Sequence, residues 1–308
     1  MRPDTEHDIQ ADWMYHMRRG DFQEAWKLSD QVLRSHAGVP CWHLPRHLQY
    51  VWDGTPLSGK RVLVRCYHGL GDTIQFARYL PQLSEIASDV VVWSQPALIP
   101  LLSTVRCDMQ LLPLHDGAPG VEFNVDVEIM ELPHIFRTTL AGIPAQVPYL
   151  HVEPALLTAH KGCLAVGIVH RAGNWDERRS IPLGLFAPLS RLPGVTLYFL
   201  QQEVPATDEI KVPGIVLGGY NVLEYARVIR ALDLLISVDT MAVHLAGALG
   251  VPVWNLLHAD ADWRWMEDRE DSPWYPTMRL FRQERHGDWQ QVIERITSGV
   301  FSWVRGGR

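Results

Sequence analysis

Several features that would assign a chain to a class are missing from these 308 residues. The four cysteines show no CxxC pair and no metal-ligand spacing, which favours free thiols in a reducing compartment over a metal site or a disulfide framework. No run of about 18 apolar residues is present, so no transmembrane helix is expected. The first residues have no apolar core, so no signal peptide is expected, and we predict a soluble, cytoplasmic protein.

A basic excess is also missing. The net charge is −7 and the pI is about 6.0, which argues against a general nucleic-acid binder, because nothing is available to neutralise a phosphate backbone. What the chain does have is 47% hydrophobic residues, enough for a large core, and a length that suggests two domains.

Residues 1–55 have a helical pattern rich in Trp and His. Asp21 and Glu24 predict a capping box at the start of the second helix. Gly20, Phe22 and Ala25 stand where a tetratricopeptide repeat keeps a small turn residue, an aromatic residue and a small packing residue, so this segment resembles one such repeat. A single repeat cannot bury its own apolar face, and we expect it to pack on the next domain or on a protein partner.

The remaining chain shows the same pattern twice. Residues 56–150 begin with a strand, a glycine turn and a helix, RVLVRC-YHGLGD-TIQFARYLPQL, followed by a second strand, ASDVVVWSQ. A proline-punctuated segment, 146–162, reads as a linker. Residues 160–308 contain five short apolar runs and a final helix that begins near Asp288. Two parallel α/β units predict a two-lobed α/β protein whose ligands bind in a cleft, outside the carboxyl ends of the strands.

The segment DLLISVDTMAVHLAGALG, from Asp233, predicts a buried strand, a polar turn and a short helix. Asp239 and Thr240 end the strand and cap the helix, and Gly250 with Pro252 ends it. A helix N-terminus at the carboxyl end of a parallel strand is a natural phosphate site. An ordinary α/β connection has the same apolar pattern, so spacing alone leaves both interpretations open.

Asp72 ends the GLGD turn after the first strand of residues 56–150. A carboxylate there could accept the proton of an attacking sugar hydroxyl. An ordinary capping box of Asp72 with Gln75 is the alternative.

Arg178 and Arg179 follow the first strand of residues 160–308, where guanidinium groups could clamp a diphosphate. Because Asp176 and Glu177 precede them, a solvated loop that neutralises its own charge is the favoured alternative.

Other polar and aromatic residues carry weaker signals. Asp239 and His244 could form a catalytic pair or metal site, but no third ligand has a fitting spacing, and a structural histidine is favoured. The DxD-like pair Asp260 and Asp262 is discounted as a metal site, because enzymes that use that motif have a single-lobed fold. Four tryptophans could stack on sugars or bases, although core or rim positions are more usual: Trp254, Trp263, Trp265 and Trp274.

Taken together, these segments resemble glycosyltransferase family nine, the heptosyltransferase-like group, and more narrowly the bacterial proteins that fuse tetratricopeptide repeats to such a domain. The similarity runs from about residue 60 to residue 290. The matching stretches, in order, are GLGDTIQFARYLPQL, ELPHIFRTTLAGIPAQVPYL, VGIVHRAGNWDERRSIPL, DLLISVDTMAVHLAGALGVPVWNLL and DWRWMEDREDSPWYPTMRLFRQ.

The resemblance implies the GT-B architecture of two Rossmann-like lobes, with the acceptor in the N-terminal lobe, the nucleotide-sugar donor in the C-terminal lobe and no required metal or other cofactor. It implies a general-base role for Asp72 and an acceptor-side loop of His68, Gly69 and Gly71. The implied donor-binding residues are Arg171, Asn174, Arg179, Asp239, Thr240, Met241, Ala242 and His244. Because the loop before RRSIP is shortened relative to the fusion proteins, Arg171 is an alternative to Arg179 as the phosphate contact.

The resulting hypothesis is an inverting, metal-independent transferase that moves a sugar, ADP-heptose by family default, to a hydroxyl of a glycan, a small molecule or a protein. Two rivals remain at this point. A nucleotide-sugar epimerase would need further acid and base groups, and a non-catalytic nucleotide-sugar-binding or scaffold protein would keep the lobes without turnover.

Overall fold

The computed structural model describes residues 4–39, 41, 44, 49, 51–158, 162–173, 176–201 and 212–306. They divide into two compact units, Met1–Ala145 with Asp262–Asp268, and Gln146–Ala261 with Arg269–Arg308. These units differ from the three predicted parts in three respects. The N-terminal helices group with the first α/β unit, and so does the short segment Asp262–Asp268. The segment predicted as a linker, from Gln146, groups with the second unit.

The first unit contains a parallel sheet in the order β3-β2-β1-β4. Its strands are β1 (Arg61–Arg65), β2 (Asp89–Ser94), β3 (Gln110–Pro113) and β4 (Val125–Glu128). The central strands are almost wholly buried, as their continuous apolar runs require of a sheet covered on both faces. Its helices are α1 (Asp4–Arg19), α2 (Phe22–Ser35), α3 (Leu70–Phe76), α4 (Leu80–Ile86), α5 (Ile99–Leu102) and α6 (Leu132–Ile135).

Helices α1 and α2 pack on the first unit, so the expectation that the apolar face of the pair must be covered is confirmed. Phe22, Ala25 and Trp26 form the buried face of α2, and the Trp26 indole N–H donates to the carbonyl oxygen of Thr138 at 2.7 Å. Asp30 accepts hydrogen bonds from Arg137 and lies 2.8 Å from His134 Nε2.

The capping box predicted for Asp21 and Glu24 is wrong. Asp21 stands at the N-cap position of α2 but makes no side-chain capping hydrogen bond. Its carboxylate instead lies 3.7 Å from Arg19 Nε, and Glu24 accepts a hydrogen bond from Lys27 at 2.6 Å. Both acids are therefore engaged by neighbouring cations in place of the backbone.

The second unit contains a parallel sheet in the order β10-β9-β8-β5-β6-β7. Its strands are β5 (Leu164–Val169), β6 (Val195–Phe199), β7 (Ile215–Val216), β8 (Leu234–Val238), β9 (Val253–Leu257) and β10 (Met278–Arg282). The five predicted apolar runs correspond to β5–β9, and β10 was not predicted as a strand. Its helices are α7 (Ala187–Ser190), α8 (Val222–Arg230), α9 (Met241–Ala248) and α10 (Trp289–Gly306).

Helix α10 covers one face of this second sheet. It begins next to Asp288, as predicted, and the Asp288 carboxylate accepts the N–H of Gln291 at 3.2 Å. Its buried residues recur at helical spacing and join the core of the unit: Val292, Ile293, Ile296 and Val300. The segment predicted as a linker is tied to this unit, because Tyr149 donates to the carbonyl of Ala248 and Ala155 to that of Arg227. Residues 159–161 of that segment lie outside the described ranges.

Among the described residues, every helix is too short or too polar to cross a lipid bilayer. The four cysteines, all described, are unbridged, as predicted.

Candidate functional site

Two strand-turn-helix connections position most of the candidate residues, one in each unit. The first, which we call the Asp72 turn, comprises residues 66–72 and runs from the end of β1 into the first turn of α3. The second, which we call the Thr240 turn, comprises residues 239–242 and runs from the end of β8 into the first turn of α9. Each turn lies where a parallel strand ends, the edge at which open α/β sheets bind ligands.

Asp72 lies inside α3, which begins earlier than predicted, at Leu70. Its Oδ2 accepts the N–H of Gly69 at 3.0 Å, so the carboxylate folds back over the start of its own helix. A Cβ at Gly69 would stand 3.1 Å from the same oxygen, tighter than ordinary contact, which explains the small residue there. The alternative interpretation, a capping box of Asp72 with Gln75, is therefore wrong. Asp72 is the third residue of α3 and caps the backbone N–H of Gly69.

Arg264, which the sequence did not single out, fixes the other oxygen of Asp72. Its Nη2 donates to Asp72 Oδ1 at 2.6 Å, its Nε to Gln75 Oε1 at 2.8 Å and its Nη1 to Asp262 Oδ1 at 2.9 Å. The guanidinium carbon also lies 4.7 Å from the ring centre of Trp263. A planar fork held by several partners presents its N–H groups in a fixed geometry, so the Asp72 carboxylate has one defined orientation.

The rest of the Asp72 turn is held by a polar side chain from β2's carboxyl end. Gln95 donates from Nε2 to the carbonyl of His68 at 2.8 Å, and its Oε1 accepts from the Thr73 and Ser94 hydroxyls at 3.1 Å. Of the predicted acceptor-side residues, His68 and Gly69 lie in the turn and Gly71 in the first turn of α3. The His68 side chain is 30% exposed, which leaves its ring accessible.

Two acids at the carboxyl end of β4, the buried Glu128 and the partly buried Glu131, lie beside this turn and were not predicted as site residues. Burial raises the pKa of Glu131 to about 7, although the backbone N–H groups of Glu128 and Trp52 oppose the rise by donating to it. Burial raises the pKa of Glu128 well above its usual range as well, and the charges of Glu131 and Asp72 add to the effect. The only signal in the sequence is the pair of acids after VDV at the end of a strand.

In the second unit, Thr240 caps α9 as predicted. Its hydroxyl oxygen accepts the N–H of Ala242 at 3.3 Å, and Met241 is the first residue of the helix. Gly250, with a φ of +71°, ends the helix through a hydrogen bond to the carbonyl of Gly247, again as predicted. The capping side chain is a neutral hydroxyl, so Thr240 adds no negative charge at this positive end of the helix dipole.

The two neighbouring arginines separate into different environments. Arg179 is 15% exposed, donates to the carbonyl of Asp239 at 2.9 Å and lies 3.7 Å from its carboxylate. Arg178 is 66% exposed and forms a two-bond pair with Asp176 at 2.9 and 3.0 Å. Arg178 thus matches the self-neutralised loop, whereas Arg179 is brought to the Thr240 turn.

The other predicted donor-binding residues are Arg171, after β5, His244, within α9, and Asn174. The backbone N–H of Arg171 donates to Gln201 Oε1 at 3.1 Å, and Asn174 is outside the described residues. His244 is 6% exposed and its Nδ1 lies 3.0 Å from the Tyr275 hydroxyl. The contact with Tyr275 agrees with a structural role for His244, and a donor-binding role for this residue stays a prediction.

The discounted DxD-like pair has cationic neighbours at each carboxylate. Asp260 lies 3.8 Å from Arg178 and 3.6 Å from His286, and Asp262 binds Arg264. In the described part of the chain, no group of three His, Cys, Asp or Glu side chains is placed to hold a metal ion. The four tryptophans considered for stacking are at most 8% exposed, which favours core positions: Trp254, Trp263, Trp265 and Trp274.

No protein-family model matches the sequence. Among curated proteins, the chain is 27% identical over 286 residues to Protein FlbA of Caulobacter vibrioides, a match that covers 81% of this chain and 48% of that protein. The chain therefore spans about half the length of that relative.

Solved structures share its fold at low identity. The glycosyl transferase family 9 structure from Veillonella parvula aligns with a TM-score of 0.58 at 13% identity, over 82% of this chain and 99% of that one. The ADP-heptose heptosyltransferase II of E. coli aligns at 0.54 and 12%, over 80% and 99%. The iron-containing glycosyltransferase TibC of E. coli aligns at 0.56 and 14%, over 82% and 77%. The chain has the GT-B α/β fold, as predicted.

Proposed function

We propose that this protein is a glycosyltransferase that moves a sugar from a nucleoside-diphosphate donor to a hydroxyl acceptor with inversion. The observation that carries the proposal is the Asp72 carboxylate, oriented by Gly69 and Arg264 at the carboxyl edge of the first sheet. The same fold occurs in the ADP-heptose heptosyltransferase II of E. coli, and this similarity supports ADP-heptose as the proposed donor class.

In the proposed reaction, Asp72 accepts the proton of the acceptor hydroxyl while that oxygen bonds to the anomeric carbon of the donor sugar. The bond from the anomeric carbon to the diphosphate oxygen breaks, and its electron pair leaves with the diphosphate. A single displacement of this kind inverts the anomeric centre. Since both Asp72 oxygens already accept one hydrogen bond, the carboxylate is held in place before the substrate arrives.

The Thr240 turn is the proposed site for the diphosphate. The start of α9 supplies backbone N–H groups and the positive end of a dipole, and Arg179 adds a guanidinium held against Asp239. Both would stabilise the charge that develops on the leaving group. Asn174, Arg171 and His244 remain proposed donor contacts.

Metal independence is part of the proposal. It is supported by cationic partners for the carboxylates of both turns, Arg264 for Asp72 and Arg179 for Asp239, which leave little negative charge to attract a divalent ion. We also propose a cytoplasmic location, no bound cofactor and a tetratricopeptide-type role for α1 and α2 in protein contacts. The acceptor is a glycan, a small molecule or a protein.

The proposal is tested by a thermal-shift screen of the full chain with ADP, GDP, UDP and dTDP, each with magnesium and with EDTA. A saturable rise in the unfolding midpoint with one nucleotide, equal in both conditions, would support it. The matching nucleotide sugar is then incubated without acceptor, and an epimerised donor would contradict transfer. No shift with any nucleotide would contradict the donor assignment, and a shift that needs magnesium would contradict metal independence.

A further inference from the structure

Glu128 places a carboxyl oxygen in an unusual position beside the Asp72 turn. The residue ends β4, opposite Arg65 of β1 in the sheet register, and is 6% exposed. Its Oε2 accepts the N–H of Met130 at 2.7 Å. Its Oε1 is fully enclosed and has no hydrogen-bond partner within the described ranges. A buried polar atom left in this way is expensive, so it calls for a functional explanation.

The enclosed oxygen faces the imidazole ring of His68. His68 Nε2 lies 4.0 Å from Glu128 Oε1, just beyond hydrogen-bond length, while the rest of the ring is partly exposed. The backbone of His68 is fixed by Gln95, so a small rotation of the two side chains is enough to close the gap. His68 therefore has one ring nitrogen directed to a buried acid, its side chain is 30% exposed, and it precedes Gly69, whose N–H binds Asp72.

The groups around Glu128 favour its neutral form. Burial is the largest cause of its raised pKa, and the carboxylates of Glu131 and Asp72 oppose a further negative charge. Other titratable or charged groups near it are the buried thiol of Cys66, whose pKa is raised mainly by burial and also by Glu128, the His68 ring, and Arg65, which is paired with Asp126. A neutral carboxyl group has one O–H donor. Since Oε2 accepts from Met130, that proton belongs on Oε1, where it points to His68.

We propose that Glu128 and His68 form an acceptor-binding pair, in which Glu128 orients the imidazole and the outer ring N–H of His68 donates to a hydroxyl oxygen of a sugar. Glu128 donates to Nε2, so the ring proton of His68 resides on Nδ1. Glu128 is a positioning residue and makes no contact with the sugar. This inference rests on the proposed function, and it assigns a polyhydroxylated acceptor to the first unit.

The internal contact is tested by long-range ¹H–¹⁵N NMR of the ¹⁵N-labelled full chain, with the His68 signals assigned from their loss in H68Q. In the wild-type protein the neutral ring is expected to carry its proton on Nδ1. In E128A the proton should move to Nε2, whereas E128Q, whose amide can still donate, should keep the wild-type form. The same tautomer in wild type and E128A would overturn the pairing.

Sugar binding is tested by saturation-transfer NMR with methyl α-D-mannopyranoside, methyl α-D-glucopyranoside and glycerol as probes. H68Q and E128A should weaken sugar binding at least tenfold, E128Q at most threefold, and the exposed-histidine control H286Q not at all. Wild-type-like binding by H68Q, or a wild-type protein that binds no probe, would overturn the inference. The nucleotide screen reports on the proposed function separately, because it probes the second unit. The unfolding curve of each variant without nucleotide shows whether that variant is folded.

Discussion

The Asp72 turn and the Thr240 turn have the same local architecture and opposite chemistry. Both connect a buried parallel strand to a helix, but the start of α3 already binds an anion of its own chain, Asp72, whereas α9 is capped by the neutral hydroxyl of Thr240. Around Asp72 lie the acids Glu128 and Glu131, and beside Thr240 lies Arg179. The start of α3 is therefore the proposed site of proton transfer, and the start of α9 is the proposed phosphate site.

Removal of the Asp72 charge should have the largest effect. We expect D72N to lower the rate of sugar transfer by about 10³-fold, within the range for a general base, because the amide cannot take up the acceptor proton. The measurement is product formation with the donor selected by the nucleotide screen. D89N is the matched control, since Asp89 is 46% exposed at the amino end of β2. Activity of D72N equal to that of D89N would disprove the base assignment.

Replacement of Arg264 should have the next largest effect. R264M leaves Asp72 and Asp262 without their cation, and we expect the transfer rate to fall about 10- to 100-fold and the free energy of unfolding by about 2 kcal/mol, reduced from the fully buried case because Asp72 is 26% exposed. R264K keeps the positive charge but lacks the planar guanidinium that binds both carboxylates. It should therefore recover only part of the transfer rate and part of the stability.

Urea unfolding and initial rates measure the Arg264 effects. R285M, on an exposed arginine, is the control and should change stability by less than about 0.5 kcal/mol. If R264M retains wild-type rate while losing stability, Arg264 has a structural role only.

The partly buried acid Glu131 should make stability depend on pH. Its pKa is about 7 in the folded chain against an ordinary value of 4.5, so between these values the folded chain holds a proton that the unfolded chain has released. Stability from this group therefore falls as the pH rises from about 4.5 to about 7, by on the order of 3 kcal/mol.

E131Q carries no such proton, so its stability relative to wild type should increase across the same interval. Urea unfolding at pH 5, 6, 7 and 8 measures the difference, with the exposed E122Q as the control. A difference between E131Q and wild type that is independent of pH would show that Glu131 ionises normally.

Loss of the Thr240 cap should have the smallest effect. T240A removes the hydrogen bond to Ala242 and should lower the free energy of unfolding by about 1 kcal/mol, while T240S should keep most of it. Chemical denaturation of the two variants provides the measurement. Equal destabilisation by alanine and serine would mean that the methyl group, rather than the hydroxyl, is what α9 needs.

The sequence predicted the features that depend on neighbouring residues. The strands β5–β9, the Thr240 cap and the Gly250 end of α9 follow from apolar runs and from local capping chemistry. Strand β10 was missed because MRLFR has no continuous apolar run, since arginines flank Leu280 and Phe281, and it was considered only as part of a matching stretch. The Asp21 capping box failed because Arg19 and Lys27 compete for the same acids.

The missed site residues depend on contacts that no local pattern encodes. Arg264 and Asp72 are separated by 192 positions, and nothing in WRW indicates which carboxylate the arginine binds. Glu128 is one acid among many until β4 is placed beside β1. The adjacent Arg178 and Arg179 read alike in the sequence, and only the fold shows that one is exposed and the other contacts Asp239.

The division of labour between the two turns is tested most directly by calorimetric titration of the selected nucleoside diphosphate into D72N, R179Q and R178Q. D72N and R178Q should bind within about threefold of wild type, and R179Q about tenfold more weakly, because only Arg179 adjoins the helix start. Weakened binding by D72N with unchanged binding by R179Q would contradict the account, because the nucleotide would then depend on the Asp72 turn.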